Sequence, residues 1–209
     1  MSRIPAGTDL NKKIKEAKLL VEEARRHPLE MRFAKLGALI DLTLDVYADA
    51  SFNGVKQGLK STEGFIILLR GDGDRCSPVA WRSRVIDRAC KSAKSAETIA
   101  LKDGVDMAIG LGRQLVQVMT GKVQDIPVPI WGYSDSGSLI ESLKSTKQVD
   151  EHPMRVHVER LKNHKDKGLV TGYKWVPTQD QIADALTKSK APVDKLRRVV
   201  KTGILKRPE

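Results

Sequence analysis

The sequence predicts an α/β fold: a short antiparallel β-meander, a long helix, then further strands alternating with helices. Two observations carry this. Apolar and β-branched stretches at 43–49, 63–70 and 78–84 lie close together, with a Gly71-Asp72-Gly73-Asp74 hairpin signal between the last two. A helical stripe then runs through Ala93, Ala96, Ala100, Gly104, Met107, Leu111, Leu115 and Val118, followed by strand-like segments at 127–134 and 169–176 that each lead into a helix-start signal.

In chain order, residues 9–26 read as a helix, with Asp9 as N-cap and Pro28 as its stop. The first strand, 43–49, ends in an acid, Asp49, followed by a turn signal at Asn53-Gly54. The long helix from Ser92 to Met119 has small residues in its first half, so that end can approach a sheet closely, and Glu97 lies one position off its apolar stripe. The fourth strand ends at Asp135, where Ser138 and Glu141 form a capping-box pattern for the next helix. A helix at 152–167 places Met154, Val158 and Leu161 inside and Arg155, Arg160, Lys162 and Lys165 outside. After the fifth strand, Thr178 and Gln181 read as a second capping box, opening a helix that carries Asp184. Trp81, Trp131 and Trp175 fall in strands and are expected in the core.

The chain has 209 residues and a net charge of +11, a balance that favours a polyanionic partner. Eight Lys/Arg against one acid, Asp194, fall between Lys188 and Arg207, which reads as a basic helical tail that frays. Two cysteines, Cys76 and Cys90, make no disulfide framework, and no apolar run approaches a membrane span or secretory signal. An intracellular protein without a membrane partner is expected. His152, His157 and His164 lack the closed ligand set of a zinc site.

Four acids in unusual settings, Asp49, Glu97, Asp135 and Asp184, are candidate ligands for divalent ions. Mg²⁺ and Mn²⁺ prefer oxygen donors, and two such ions about 4 Å apart can serve an in-line phosphoryl displacement. Asp45, Asp103, Asp106 and Asp180 compete for the same reading.

Five blocks then appear in order: Tyr47-Ala48-Asp49-Ala50-Ser51-Phe52, Ala80-Trp81-Arg82-Ser83, Ser95-Ala96-Glu97-Thr98-Ile99-Ala100-Leu101, Ser134-Asp135-Ser136-Gly137-Ser138-Leu139 and Gln181-Ile182-Ala183-Asp184-Ala185-Leu186-Thr187-Lys188. Together they resemble the ribonuclease H domain of copia-type LTR retrotransposon polyproteins, over residues 40 to 190. Asp9-Leu10-Asn11-Lys12 and the helix after it resemble the segment that joins reverse transcriptase to ribonuclease H there.

The resemblance implies a ribonuclease H-like fold at 41–190, a five-stranded mixed sheet flanked by helices, with a helical extension at 1–40 and a basic tail at 191–209. It also implies a hydrolase: an endonuclease that cuts the RNA strand of an RNA–DNA hybrid during reverse transcription with two Mg²⁺ ions, leaving a 5′-phosphate and a 3′-hydroxyl. Asp49, Glu97, Asp135 and Asp184 take the catalytic and metal-ligand places. Ser51, Asn53, Arg82 and Ser136 are candidates for nucleic-acid contact, as are Arg155, Arg160, Lys162 and Lys165 on one helix. A reverse transcriptase in the same polyprotein is the implied partner, in a cytoplasmic virus-like particle or the nucleus. Many cellular ribonucleases H carry a His in the loop before the last Asp; here that loop, Trp175-Val176-Pro177-Thr178-Gln179-Asp180, has none. Two other readings remain open: a catalytically silent nucleic-acid-binding scaffold of the same fold, and an integrase- or resolvase-type nuclease.

Overall fold

The computed structural model describes residues 10–52, 60–87, 90–122, 128–147, 149, 151–188 and 191–208. Asp9, Asn53 and Gly54 lie outside them. The chain divides into two compact units, Met1–Met31 and Arg32–Glu209. The first contains helix α1 (Leu10–Arg26), whose last turn carries an Arg26–Glu22 ion pair at 3.7 Å.

The second unit is built on one five-stranded mixed sheet. Strands β1 (Thr43–Ser51), β2 (Thr62–Arg70) and β3 (Cys76–Val85) form the antiparallel meander, with Gly73 at φ +64° in the β2–β3 turn. Strands β4 (Ile130–Ser134) and β5 (Gly172–Trp175) then add in parallel beside β1, giving the order β3-β2-β1-β4-β5. The central strand is therefore β1, and it is buried on both faces.

The two-residue period of β1 sorts its side chains. Leu44, Val46, Ala48 and Ala50 face a core shared with helix α2 (Ala93–Thr120). Tyr47 faces a second core on the other side, stacked on Tyr133 at 4.7 Å, and Asp45, Asp49 and Ser51 share its parity along the strand.

The Ser92 hydroxyl caps α2 by accepting from Ser95 N at 3.1 Å. The expected close approach of its first half is realised. At Gly104 an added Cβ would lie 2.7 Å from Val46 Cγ1 and 3.2 Å from Phe65, so a larger residue would force helix and sheet apart. Beyond that point the buried stripe shifts to Ala108, Gly112 and Val116, leaving Val118 exposed where the helix overruns the sheet. Helices α3 (Gly137–Lys144) and α4 (His152–Asp166) complete this face, with Met154, Val158 and Leu161 of α4 buried as expected.

Several expectations are corrected. Ser138 does not cap α3; Ser136 stands at the N-cap without a side-chain cap bond, and Ser138 lies inside the helix. Thr178 and Gln181 form no capping box, because Thr178–Asp180 is a 3-10 turn and helix α5 spans only Asp184–Thr187. Trp81 and Trp175 are 55% and 51% exposed, since they stand on the two edge strands, where no further strand shields them.

The C-terminal segment docks rather than frays. Helix α6 (Asp194–Thr202) buries Val199 and Val200, its Lys195 pairs with Asp180, Cys76 N donates to Gly203 O at 2.8 Å, and Leu205 N donates to Asp74 O at 2.9 Å. The anchor is electrostatic. Arg70, whose side chain is 1% exposed, pairs with fully buried Asp45 and donates to Leu205 O at 2.6 Å, while Arg207 reaches Asp45 Oδ1 at 3.5 Å.

Removing one partner of such a pair leaves an uncompensated buried charge. Arg70→Met is expected to destabilise the chain by about 3–5 kcal/mol in urea unfolding. Asp45→Asn in the same background should recover part of that loss.

Candidate metal centre

Four elements deliver the predicted acids. Asp49 sits near the end of β1, Glu97 in the second turn of α2, Asp135 just past β4, and Asp184 at the start of α5. Carboxylate oxygens of Asp49, Glu97 and Asp135 all lie within 4.8 Å of one another. Asp184 is not part of that triad. It joins through Lys188, whose ammonium stands 2.8 Å from Asp184 Oδ1 and 3.2 Å from Asp49 Oδ1.

Each acid is fixed by its neighbours. Ala50 N donates to Glu97 Oε1 at 3.2 Å, tying α2 to β1. The Thr187 hydroxyl donates to Asp49 Oδ2. Thr178 Oγ1 donates to Asp135 Oδ2 at 2.9 Å, and Trp175 Nε1 donates to the Asp135 carbonyl at 2.9 Å. Gln181 Nε2 donates to Ala48 O at 3.0 Å and its Oε1 accepts from Ala183 N, seating the approach to α5. Thr178 and Gln181, read from sequence as helix caps, thus serve the acids and their strand instead.

Gly64 makes the arrangement sterically feasible. It pairs with Asp49 across β1 and β2, and a Cβ there would meet Thr187 Cγ2 at 2.7 Å and Leu186 Cβ at 2.8 Å. Its missing side chain lets α5 rest on the sheet beside Asp49. Gly64, Thr187 and Lys188 escaped the sequence reading. The available signal was the four-residue spacing of Asp184 and Lys188, which puts both on one helical face.

The electrostatics disfavour three bare carboxylates. Like charges at this spacing repel by roughly 3–4 kcal/mol per pair at an effective dielectric constant of about 20. Burial pushes Glu97 up to about 9, helped by the charges of Asp49 and Asp135. Burial also pushes Asp49 up to about 6; the Thr187 bond opposes this, Asp184 adds to it and Lys188 opposes it. Glu97 Oε2 is buried with no hydrogen-bond partner. An all-oxygen donor set with an orphaned carboxylate oxygen fits a hard divalent cation, which would satisfy the orphan and remove the repulsion.

The expected nucleic-acid contacts divide. Ser51 lies two residues after Asp49 on β1, and Ser136 follows Asp135 at the N-cap of α3. Arg82 is half-buried, 3.9 Å from Asp103 and over the Phe65 ring. On α4, Arg155 donates to Val149 O, Arg160 pairs with Asp106 at 3.0 Å and Lys162 pairs with Glu159 at 3.4 Å, while Lys165 is exposed. Among the described residues, no hydrogen bond joins these α4 side chains to the four acids. No helix of the described residues is long and apolar enough to cross a membrane.

Two outcomes follow from this geometry. Above the ordinary carboxyl range, the folded chain holds protons that the unfolded chain releases, on Asp49 up to about pH 6 and on Glu97 up to about pH 9. Stability of the metal-free chain should therefore fall as pH rises through that window, and a divalent ion should offset the fall; melting curves with EDTA and with Mn²⁺ measure both. Gly64→Ala should destabilise the fold by about 1–3 kcal/mol in denaturant melts, because a methyl group must displace α5.

No protein-family model matches the sequence, and no curated protein matches it. Solved structures do. RNase H1 from the halophilic archaeon Halobacterium salinarum NRC-1 is 20% identical with a TM-score of 0.50, over 70% of this chain and 96% of that one. The N-terminal RNase H domain of Rv2228c from Mycobacterium tuberculosis (18% identity, TM-score 0.48, 74% and 95% covered) and the PFV RNase H domain (15%, 0.46, 73% and 96%) are also similar. The archaeal likeness, with the mixed sheet and its strand order, establishes that this chain has the ribonuclease H fold.

Proposed function

We propose that this protein is a two-metal endoribonuclease that cuts the RNA strand of RNA–DNA hybrids. The observation that carries the reading is the convergence of Asp49, Glu97 and Asp135 oxygens within 4.8 Å on a ribonuclease H fold. Mg²⁺, with Mn²⁺ as substitute, is the ion proposed for the centre, and Asp184 is the proposed fourth ligand. Bound divalent ions would supply Lewis acidity for a phosphoryl displacement that leaves a 5′-phosphate and a 3′-hydroxyl.

The chain's own residues hold and orient. Glu97 is steadied by the Ala50 amide, and Asp135 by the Thr178 hydroxyl. The loop before Asp184 thus offers a hydroxyl to the site where many cellular ribonucleases H carry an imidazole. Ser51 and Ser136, each close in sequence to an acid of the triad, are proposed to meet the sugar–phosphate backbone, with Arg82 and the exposed Lys165 as outer phosphate contacts. The order and spacing of the five sequence blocks support placement in a copia-type retrotransposon polyprotein, with reverse transcriptase as the neighbouring activity.

Incubation with an RNA–DNA hybrid should give Mg²⁺-dependent cleavage of the RNA strand alone. Asp49→Asn and Asp135→Asn should each lower the rate by more than about a hundredfold, beyond the loss typical of outer-shell partners. Salt-sensitive hybrid binding with no response to Mg²⁺ would instead identify a silent binding domain.

A further inference from the structure

The same face of β1 carries two carboxylates four residues apart, and the protein neutralises them in different ways. Asp45 is held by two arginines. One of them, Arg70, is 1% exposed, and its guanidinium also donates to Leu205 O. A planar guanidinium fixed by several bonds in a dry setting has nowhere to go. Asp49 is instead met by a hydroxyl and by one ammonium, on a side chain that is 39% exposed.

Lys188 is the residue just after α5, and its amide closes the helix by donating to Asp184 O at 3.0 Å. Its side chain turns back over that turn, so the ammonium lies between Asp184 and Asp49. This is a cation placed between two carboxylates by geometry alone. A lysine stem is flexible and its head is strongly hydrated, so it can leave toward solvent without unfolding its surroundings.

Charge balance gives the arrangement a consequence. Two divalent ions neutralise four carboxylates. One divalent ion together with one ammonium comes close to doing so, and two ions with the ammonium still in place would leave excess positive charge. We propose that the Lys188 ammonium is the protein's own counter-cation on the Asp49–Asp184 side of the centre, and that a divalent ion enters that side only by displacing it. This rests on the metal-centre reading above. Lys188 is a positioning residue: it holds α5 against β1 before the second ion arrives and sets the threshold concentration of that ion.

The test is a Mn²⁺ titration of the metal-free full chain, followed by calorimetry and by the free-ion electron paramagnetic resonance signal. In the wild type the first ion should bind more tightly than the second. Lys188→Met should tighten the second stepwise constant by about tenfold, whereas Lys188→Arg, which keeps the charge, should not. Should the Met variant fail to fold, the native chain supplies the reading. Saturating Mn²⁺ should raise the rate at which an amine-acylating reagent modifies Lys188, resolved by peptide mass spectrometry. A second constant unaltered in a folded Lys188→Met chain, or a Lys188 reactivity indifferent to Mn²⁺, would overturn the inference and leave the metal centre standing. A wild-type chain that takes up no Mn²⁺ would remove the metal centre itself.

Discussion

Burying a carboxylate costs several kcal/mol unless a cation or a set of donors meets it. Strand β1 carries two such groups, Asp45 and Asp49, at the centre of the sheet, and much of the second unit can be understood as the means of meeting them. At the first, Arg70 from β2 and Arg207 from the C-terminal segment close on Asp45, and Arg70 also takes the Leu205 carbonyl. One buried charge thereby pins residues distant in sequence to the sheet. At the second, Thr187 and Lys188 meet Asp49, but Glu97 and Asp135 crowd the same space with further negative charge. The first site is satisfied from within the protein. The second leaves Glu97 Oε2 with no partner.

The contrast separates an anchored carboxylate from a candidate ligand on a single strand. A polar cluster that is fully satisfied rigidifies the fold, and one with a buried oxygen left unmet has room for a further cation. Two absences of side chain let the second cluster form. Gly104 allows α2 to approach β1 and β2, carrying Glu97 to the Ala50 amide. Gly64 allows α5 to rest beside Asp49 on the opposite face. The acids thus reach one end of the sheet from both sides, through backbone approaches that any larger residue would prevent.

Several elements were legible in the sequence because they rest on periodicity. The apolar stretch of β1, the small-residue half of α2 and the apolar stripe of α4 each follow from an element's need to bury apolar surface. The polar residues were less legible. Ser138 with Glu141 and Thr178 with Gln181 have capping-box spacing, yet none of them caps, because spacing cannot tell which backbone or side-chain group will lie nearby after folding. Trp81 and Trp175 were assigned to the core by residue type, whereas exposure depends on strand order, which puts both on edges. The basic stretch from Lys188 to Arg207 read as a tail that frays. Its Val199, Val200 and Leu205 are instead buried, and Arg207 is claimed by Asp45.

By itself the sequence determined the main element types and the meander-then-alternation order, and it singled out four acids as candidates, because local periodicity and ordered short blocks are properties of the chain read in one dimension. Only the tertiary structure decided that three of those acids share a point while the fourth is joined through Lys188, and that Asp45 is an anchor where Asp49 is a candidate ligand. The physical reason is that electrostatic energy depends on separation in space and on the dielectric around each group. Both are set by how helices and strands pack, and neither is written in the spacing of residues along the chain.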